Sequence, residues 1–315
     1  MNQIINRLLL PIIGTRRQLK NAYSFGLKKC ITILNNKSKN YDYTLVLTAI
    51  VKDEDDYLLE WVSYHKVIGV DHIILYDNSE DSKTSKILRK FIDINFVEVI
   101  SYPGRARQLE AYMDSARRFK NIAEWIMILD LDEFLTPLQN SNIKVFLQDF
   151  PFSTSQILIS WLIYGSNGQI NKSEGLVLER FTRHAGTKSR WDYKPIVRPE
   201  RVISIEIPHY FEVIGKTVNE DKKRFWVYPY VTNELSPINN PQKFRINHYY
   251  TKSKEEFDIK KNKGFADQTF FSNIVRNQKD FLRQNRNELS DNTMKKWLPN
   301  VKKTMKKFQV EDNNE

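Results

Sequence analysis

Cysteine and long apolar runs are both scarce in this sequence. Its one cysteine, Cys30, excludes an internal disulfide framework and favours a reducing compartment. No run reaches the roughly 18 apolar residues that a bilayer-spanning helix needs. The apolar stretch at residues 8–13 is interrupted by Pro11, and Arg16 and Arg17 follow it where a small-residue cleavage site would be expected. We therefore expect a cytoplasmic protein and not a secreted one.

Acidic residues are missing from the first 41 positions, although the chain as a whole contains 38 of them. The net charge is +11, and its excess lies at the two ends of the chain. The N-terminal basic residues are Arg7, Arg16, Arg17, Lys20, Lys28, Lys29, Lys37 and Lys39. The C-terminal basic group is Lys295, Lys296, Lys302, Lys303, Lys306 and Lys307. These ends predict an anionic partner, which could be nucleic acid, a membrane surface or a phosphorylated substrate.

The C-terminal lysines alternate with apolar side chains between residues 295 and 308, although Pro299 interrupts any single helix there. A basic amphipathic segment of this kind suits the anionic cytoplasmic surface of a membrane. The protein would then be peripheral on the inner face of the plasma membrane. A solvated lysine-rich tail is the alternative interpretation.

Apolar and β-branched runs alternate with helical patterns in the first half of the chain. Buried strands are predicted at residues 44–51, 72–76, 96–100 and 125–129. Helices are predicted between them at residues 58–68, 83–91 and 108–119. This alternation predicts βαβ units and an α/β fold with a mainly parallel sheet. No glycine-rich fingerprint follows the first strand, which argues against a nicotinamide or flavin cofactor.

The pattern changes after Pro151, where short segments rich in aromatic and turn residues predict mixed or antiparallel strands. Ser253 and Glu256 have the spacing of a capping box, so a helix should follow Ser253. We divide the chain into a basic N-terminal extension (1–41), a central α/β domain (42–252) and a basic helical C-terminal extension (253–315).

Two carboxylates, Asp130 and Asp132, follow the strand predicted at residues 125–129. In an extended backbone the side chains at i and i+2 point to the same side, so both could face one cation. Oxygen ligands suit Mg²⁺ or Mn²⁺, which keep open positions for substrate phosphate. The same alternation would turn Glu133 away and leave it a structural role. The alternative is that the acidic pair only ends the strand.

Four segments, at residues 51–65, 70–78, 129–135 and 246–257, occur in an order and at a spacing that resemble one family. They include the strings Val-Lys-Asp-Glu, Tyr-Asp-Asn, Leu-Asp-Leu-Asp-Glu-Phe-Leu and Asn-His-Tyr-Tyr-Thr-Lys-Ser. The sequence is similar to bacterial glycosyltransferase family 2-like proteins related to glycosyltransferase family 92. The resemblance implies a GT-A fold, a Rossmann-like αβα sandwich with a mixed, mainly parallel sheet, here with helical terminal extensions.

The resemblance also implies roles for individual residues. The implied nucleotide-sugar contacts are Val51, Glu54, Asp77, Arg105, Gln108, Asp130, Gly165, Lys252 and Ser253. The implied metal ligands are Asp130, Asp132 and His248, with His209 as the rival histidine. Lys252 and Ser253 would bind the diphosphate at a helix N-terminus. The family usually has Asn where this chain has Asp53, which leaves the role of Asp53 open.

Transfer with inversion needs a carboxylate that takes the proton of the acceptor hydroxyl. Glu179 follows the loop of residues 165–168 at a suitable distance and is the first candidate, with Asp192 and Glu174 as alternatives. Three further basic residues could bind phosphate or an anionic acceptor, or could simply be solvated. They are Arg183, Lys194 and Arg198.

We therefore expect a metal-dependent glycosyltransferase that moves a hexose from a nucleoside diphosphate sugar, with uridine favoured. The acceptor would be a bacterial surface glycan or a lipid-linked glycan. A nucleic-acid-binding protein is a second hypothesis, but the excess charge lies outside the α/β region and no nucleic acid partner is expected. A metal-dependent phosphotransferase is a third, and the Walker-type phosphate loop that would favour it is absent.

Overall fold

The computed structural model describes residues 2–35, 40–81, 83–138, 142–186, 192–225, 241–262 and 277–310. The strands are β1 (Tyr43–Val51), β2 (His72–Asp77), β3 (Val97–Ser101), β4 (Ala123–Ile128), β5 (Glu133–Pro137), β6 (Thr154–Ile163), β7 (Arg183–His184), β8 (Tyr193–Val197), β9 (Val202–Ile207), β10 (Tyr210–Val213), β11 (Lys216–Asn219), β12 (Phe244–His248) and β13 (Leu289–Ser290). The helices are α1 (Asn2–Phe25), α2 (Leu27–Asn35), α3 (Asp55–Val67), α4 (Lys83–Ile87), α5 (Arg89–Asp93), α6 (Gln108–Arg118), α7 (Ile143–Gln148), α8 (Val177–Arg180), α9 (Lys254–Asn262), α10 (Gln278–Gln284) and α11 (Leu298–Phe308). Two 3₁₀ turns lie at Pro199–Arg201 and Thr293–Lys296.

Nine of the described strands form one central sheet in the order β3-β2-β1-β4-β8-β6-β12-β5, with β11 beside β6. Strands β1 to β4 are mutually parallel, which confirms the βαβ interpretation of the first half. The chain moves outward from β1 to β3 and then returns to place β4 on the other side of β1. This reversal makes a crevice beyond the carboxyl ends of β1 and β4, where open α/β sheets bind their ligands.

The central strand β1 is buried on both faces because its side chains alternate between two layers. Leu45, Leu47 and Ala49 pack in one cluster with α3, whereas Val46 and Ile50 pack in another with α6. A strand covered on both faces needs apolar residues at nearly every position, which explains the continuous apolar run at residues 44–51. The structure is therefore the α/β sandwich that the sequence predicts.

The second half of the sheet is mixed, as predicted for the chain after Pro151. Strand β8 runs antiparallel to both β4 and β6, and β12 is parallel to β6 but antiparallel to β5. The register of the β5–β12 pair sets His248 opposite Glu133. Tyr249 also donates its backbone N–H to the carbonyl of Asp132 at 2.8 Å. The end of β12 is thereby fixed beside the residues that follow β4.

One predicted helix is divided in two, and the predicted capping box is present. The helix expected at residues 83–91 is two short helices, α4 and α5, separated at Leu88. The capping box before α9 is present, because the Ser253 N–H and hydroxyl both bond Glu256 Oε2 and the Glu256 N–H bonds Ser253 Oγ. Within the described parts of the chain, no helix has both the length and the apolar character that crossing a membrane requires.

The C-terminal helix α11 is amphipathic, but its apolar side belongs to the core. Val301 and Phe308 are buried, and Phe308 stacks on Phe91 with ring centroids 4.2 Å apart. Pro299 lies in the first turn of α11, where a missing backbone N–H costs nothing. The expectation that the apolar side chains of this segment face a membrane is therefore wrong, because they pack against the α3 side of the sheet.

Candidate active site

The carboxyl ends of β1 and β2 form one edge of the crevice. Val51 and Asp77 are register partners there, and the N–H of Asn78 bonds the carbonyl of Val51 at 2.8 Å. Asp77 is buried and accepts the Ser79 N–H at 3.0 Å. The structure thus brings together two of the residues expected to contact the nucleotide. Glu54 stands just before α3 and borders a cavity of about 70 Å³ that Lys252 and Lys260 also line.

Asp130 follows β4 and is surrounded by three donors from two other elements, α6 and β8. Its Oδ1 accepts from Gln108 Nε2 at 3.2 Å and from the Tyr112 hydroxyl at 3.1 Å. Its Oδ2 accepts from Lys194 Nζ at 2.9 Å. Burial opposes ionisation of this carboxyl, but the Lys194 ammonium outweighs it and holds the pKa of Asp130 below its usual range. Asp130 is therefore an ionised, well-oriented carboxylate.

Glu133 belongs to the same cluster, contrary to the expectation that strand alternation turns it away. Residues 131 and 132 form a turn, and this turn lets Glu133 Oε2 accept the Asp130 N–H at 3.0 Å. Lys194 Nζ lies 3.4 Å from the same oxygen. Burial raises the pKa of Glu133 well above its usual range, more than Lys194 lowers it. One ammonium thus faces two carboxyls, and the deeper of them favours its protonated form.

Asp132 has different partners from Asp130. Its Oδ2 accepts from Lys260 Nζ and lies 3.5 Å from His248 Nε2. Burial opposes ionisation, but Lys260 and His248 together hold the pKa of Asp132 well below its usual range. Burial also lowers the pKa of His248, which keeps the imidazole neutral at physiological pH. The Trp161 ring packs on His248 at 4.3 Å between centroids.

Asp130, Asp132 and His248 are the side chains that would bind a divalent cation. Carboxylate oxygens and a neutral imidazole suit Mn²⁺, and Nδ1 of His248 has no hydrogen-bond partner among the described residues. Asp132 and His248 already lie together, whereas Asp130 is turned to Lys194. No three His, Cys, Asp or Glu side chains of the described ranges are grouped to hold a metal. The residues fit a cation in their chemistry, provided that Lys260 leaves Asp132.

A family model described as Glycosyltransferase family 92 matches residues 46–297, which include the whole crevice and its carboxylate cluster. The chain belongs to glycosyltransferase family 92. The match passes the predicted boundary between residues 252 and 253 and includes α9 and α10, and that boundary stays a prediction.

Similar curated proteins come from plants. A glycosyltransferase family 92 protein of Ricinus communis is 24% identical over 188 residues, which cover 57% of this chain and 34% of that protein. A family 92 protein of Oryza sativa subsp. japonica is 24% identical over 177 residues, 54% of this chain and 30% of its own. A galactan beta-1,4-galactosyltransferase of Arabidopsis thaliana is 24% identical over 242 residues, 71% of this chain and 46% of its own. The chain thus spans less than half the length of these relatives, and they do not support the narrower likeness to bacterial proteins.

The other predicted nucleotide contacts of this family 92 protein lie around the same crevice. Gln108 begins α6, and its amide is engaged with Asp130. Arg105 is exposed in the loop after β3, next to Gly104, whose carbonyl accepts from Asn78. Lys252 has a left-handed backbone (φ 48°), which is unusual for a side chain of this size. Its ammonium lies 3.9 Å from the centre of the Tyr57 ring.

Two residues expected in the donor site have other partners. Ser253 is committed to the capping box, so both of its donors are already used by Glu256. Gly165 is in close contact with a distant segment, because a Cβ there would lie 2.3 Å from the carbonyl oxygen of Arg286. Only glycine allows that approach. Gly165 connects to the cluster through Tyr164, whose N–H bonds the carbonyl of His248 at 2.9 Å.

The candidate catalytic bases separate clearly in space. The contacts described for the Glu179 carboxylate are with Lys302 at 2.6 Å and the Leu176 N–H at 3.4 Å, on the α11 side of the molecule. The structure therefore does not join Glu179 to the aspartates. Asp192 precedes β8 two residues before Lys194, and its Oδ1 lies 3.8 Å from His209 Nδ1. Glu174 lines a cavity of about 420 Å³ that adjoins the smaller one beside Glu54, since Tyr57 and Lys172 line both.

His209 and His248 lie on the same tryptophan, since the Trp161 ring is 5.0 Å from His209 and 4.3 Å from His248. Of the two rivals, His248 is the one beside Asp132. Arg198 is buried against Glu124 at 3.0 Å, and Arg183 bonds the carbonyl of Asn287, so both have structural partners.

Sequence reasoning missed Lys260, Tyr112 and Trp161 as members of the site. A signal existed for Lys260: the capping box at Ser253 fixes the register of α9, and Lys260 then follows Glu256 by four residues on one face of the helix. Tyr112 likewise follows Gln108 by four residues in α6. The contact of Trp161 with His248 joins residues far apart in sequence and had no local signal.

Proposed function

We propose that this family 92 protein transfers a hexosyl group from a nucleoside diphosphate sugar to a hydroxyl of a glycan or lipid-linked glycan, with inversion. The observation that carries the proposal is the cluster of Asp130, Asp132 and His248 at the switch point of the sheet, within the family match. A site beyond the carboxyl ends of parallel strands is where a nucleotide is expected.

The donor would lie along the edge formed by Val51, Glu54 and Asp77, with Arg105 close to the base. Its diphosphate carries negative charge, and Lys252 and Lys260 are two cations that line the same small cavity. Burial lowers the pKa of Lys252, and the neighbouring Lys260 lowers it further. An anion placed between these lysines would relieve their mutual repulsion, and this supports a diphosphate at that position.

The chemistry needs a base, a leaving group and a way to hold negative charge. The acceptor oxygen would attack the anomeric carbon while the bond from that carbon to the diphosphate oxygen breaks. We assign the acceptor proton to Asp192, because Asp192 lies beside His209 and Trp161 at the edge of the cluster. A bound Mn²⁺ or Mg²⁺, held by Asp132, His248 and Asp130, would neutralise charge on the nucleoside diphosphate that leaves.

Uridine diphosphate galactose is the first donor to test, because galactan galactosyltransferases are among the similar plant proteins. The acceptor remains the broader class of glycan or lipid-linked glycan, with a bacterial surface glycan as the narrower candidate. We propose a cytoplasmic enzyme that works at the inner face of a membrane. The other two hypotheses, a nucleic-acid-binding protein and a phosphotransferase, account less well for a family 92 match over residues 46–297.

A thermal-shift screen of nucleoside diphosphate sugars, with and without Mn²⁺, tests donor and metal together. The expected result is stabilisation by one uridine donor that increases with Mn²⁺. Asp130→Asn and Asp132→Asn should then abolish donor hydrolysis and transfer at saturating Mn²⁺. Full activity of both variants under those conditions would refute the proposal.

The assignment of the base is tested by two isosteric changes. Asp192→Asn should lower the transfer rate by about 10²–10⁴-fold while donor binding is retained, because general-base catalysis contributes in that range. Glu179→Gln is the matched control, and transfer by this variant should stay close to the unmodified rate. The reverse ranking of the two variants would move the base to Glu179.

A further inference from the structure

The helix α1 has two sides of different character. Its inner side is fixed to the β9–β10 hairpin by polar contacts: Arg17 pairs with Glu212 at 2.7 Å, and Asn21 bonds the same carboxylate at 2.9 Å. Gln18 reaches the carbonyl of Gly215 at 3.0 Å. These contacts orient the helix, so its opposite side is turned away from the protein.

That opposite side, which we name the outer face of α1, consists of Ile12, Arg16, Leu19, Lys20 and Tyr23. Their spacing of four, three, one and three residues keeps them on one side of an α-helix. The three apolar members are largely exposed, with 65% of Ile12, 64% of Leu19 and 79% of Tyr23 accessible. Arg16 and Lys20 are exposed between them.

The next helix, α2, carries exposed residues of the same kinds, because Leu27 and Ile31 are exposed four residues apart and Lys28 and Lys29 are exposed beside them. No acidic residue occurs before Asp42. The surface therefore combines apolar side chains with charge of one sign. The basic helix α11 differs from α1, because α11 buries its apolar residues Val301 and Phe308 in the core.

We propose that the outer face of α1 binds an anionic phospholipid surface, with the apolar side chains entering the boundary of the head groups. Charge complementarity decides which partner fits the outer face of α1. A second copy would bring two faces of the same positive charge together, and nucleic acid would attract the charges without covering Ile12, Leu19 and Tyr23. An anionic bilayer satisfies both the charge and the apolar surface. The inference deepens the proposed function, because a lipid-linked acceptor would be held at such a surface.

Sedimentation of the 315-residue chain with vesicles tests the inference without any need for donor or catalysis. The unmodified protein should bind vesicles of phosphatidylcholine mixed with phosphatidylglycerol and should not bind phosphatidylcholine alone. The double variant Arg16→Gln/Lys20→Gln should bind about 25-fold more weakly, about fivefold for each charge near an anionic surface. Leu19→Ser/Tyr23→Ser should lose at least about tenfold through its missing apolar contacts.

The matched control is Lys303→Gln/Lys306→Gln, which removes the same charge from the exposed side of α11. Equal losses in this control and in the α1 pair would overturn the inference, because binding would then follow total charge. Self-association that depends on Leu19 and Tyr23, or duplex DNA binding without vesicle binding, would also overturn it. Donor-induced thermal shifts should be the same in all of these variants, so failure of the membrane inference remains separate from failure of the proposed function.

Discussion

Replacement of Lys194 by Met tests the electrostatic account of the carboxylate cluster. The Lys194 side chain is fully buried, and its Nζ lies 2.9 Å from Asp130 Oδ2 and 3.4 Å from Glu133 Oε2. Lys194 lies closer to Asp130 than to Glu133 and donates a hydrogen bond to Asp130, so Asp130 is its main partner. Methionine keeps most of the volume and removes the charge, so the variant leaves Asp130 without its cation.

The loss of folding free energy expected for Lys194→Met depends on how deeply the ion pair is buried. Removal of one partner from a fully buried ion pair costs about 3–5 kcal/mol of folding free energy, because the other charge is left uncompensated. The Asp130 side chain is 37% exposed and keeps its bonds from Gln108 and Tyr112. Water and these donors recover part of the loss, so we expect about 2–3 kcal/mol.

Urea denaturation at neutral pH measures this value, with Lys302→Met as the matched control. Lys302 also lies close to a carboxylate, 2.6 Å from Glu179, but its side chain is 56% exposed. The control should therefore lose no more than about 1 kcal/mol. Equal losses in the two variants would show that Lys194 does not compensate a buried charge.

The pH dependence of the unfolding free energy gives a second test of Lys194→Met. In the unmodified protein the pKa of Asp130 is held below its usual range, so its stabilisation is present above pH ~4 and is lost as pH falls. Without Lys194, burial and the neighbouring charge of Asp132 raise the pKa of Asp130, so its contribution becomes less favourable as pH rises. The difference in unfolding free energy between the two proteins should therefore grow from about pH 4 to pH 7. A difference that does not change with pH would refute the reasoning.

Three further predictions concern other parts of the structure. Lys260→Met should raise the affinity for Mn²⁺ about tenfold, roughly 1.4 kcal/mol, because the ammonium would compete with the proposed metal for the Asp132 carboxylate. Isothermal titration calorimetry that finds no change in Mn²⁺ affinity would contradict this. Gly165→Ala should cost about 1–3 kcal/mol of unfolding free energy, because its Cβ would lie 2.3 Å from the Arg286 carbonyl oxygen. In the control Gly186→Ala the nearest atom to the Cβ is 3.8 Å away, so the change should stay within about 0.5 kcal/mol. Similar losses in the two variants would refute the close approach at Gly165. Burial raises the pKa of Glu60 to about 7, so the folded protein holds this proton more tightly than the unfolded chain and stability from Glu60 declines as pH rises from about 4.5 to 7. The unfolding free energy of Glu60→Gln, measured by urea denaturation, should therefore rise by about 2–3 kcal/mol relative to that of the unmodified protein between pH ~4.5 and ~7. Parallel plots of unfolding free energy against pH for the two proteins would show that the pKa of Glu60 is not raised.

The parallel half of the fold could be predicted from sequence because its signals are local. A strand buried on both faces shows a continuous apolar run, and this is why β1 and β4 were found within two residues of their ends. The capping box fixed the start of α9 for the same reason. The apolar pattern of α11 was equally visible, but a stripe that packs on a core and one that meets a membrane look alike in sequence. The buried positions of Val301 and Phe308 decide between them.

The partners of the aspartates could not be predicted, because they come from distant parts of the chain. Lys194 is 64 residues from Asp130, and Lys260 is 128 residues from Asp132. Side chains at i and i+2 point to the same side only in an extended backbone, whereas residues 131 and 132 form a turn that brings Glu133 back to Asp130. Sequence located the carboxylates, but only the sheet order could show which lysine neutralises each of them.

The pairing of charges in the cluster bears on how a donor would enter. Asp130 and Asp132 are ionised and each faces a lysine, while burial raises the pKa of Glu133 well above its usual range. The charges of the two aspartates are therefore balanced by Lys194 and Lys260 before any ligand binds. A nucleoside diphosphate adds negative charge and a divalent cation adds positive charge. Because net charge in a buried site is costly, the two should enter together more readily than either alone. In the proposed reaction, Lys260 would pair with Asp132 before binding and with the diphosphate afterwards. The lysine that would compete with the metal would therefore also help to hold the donor.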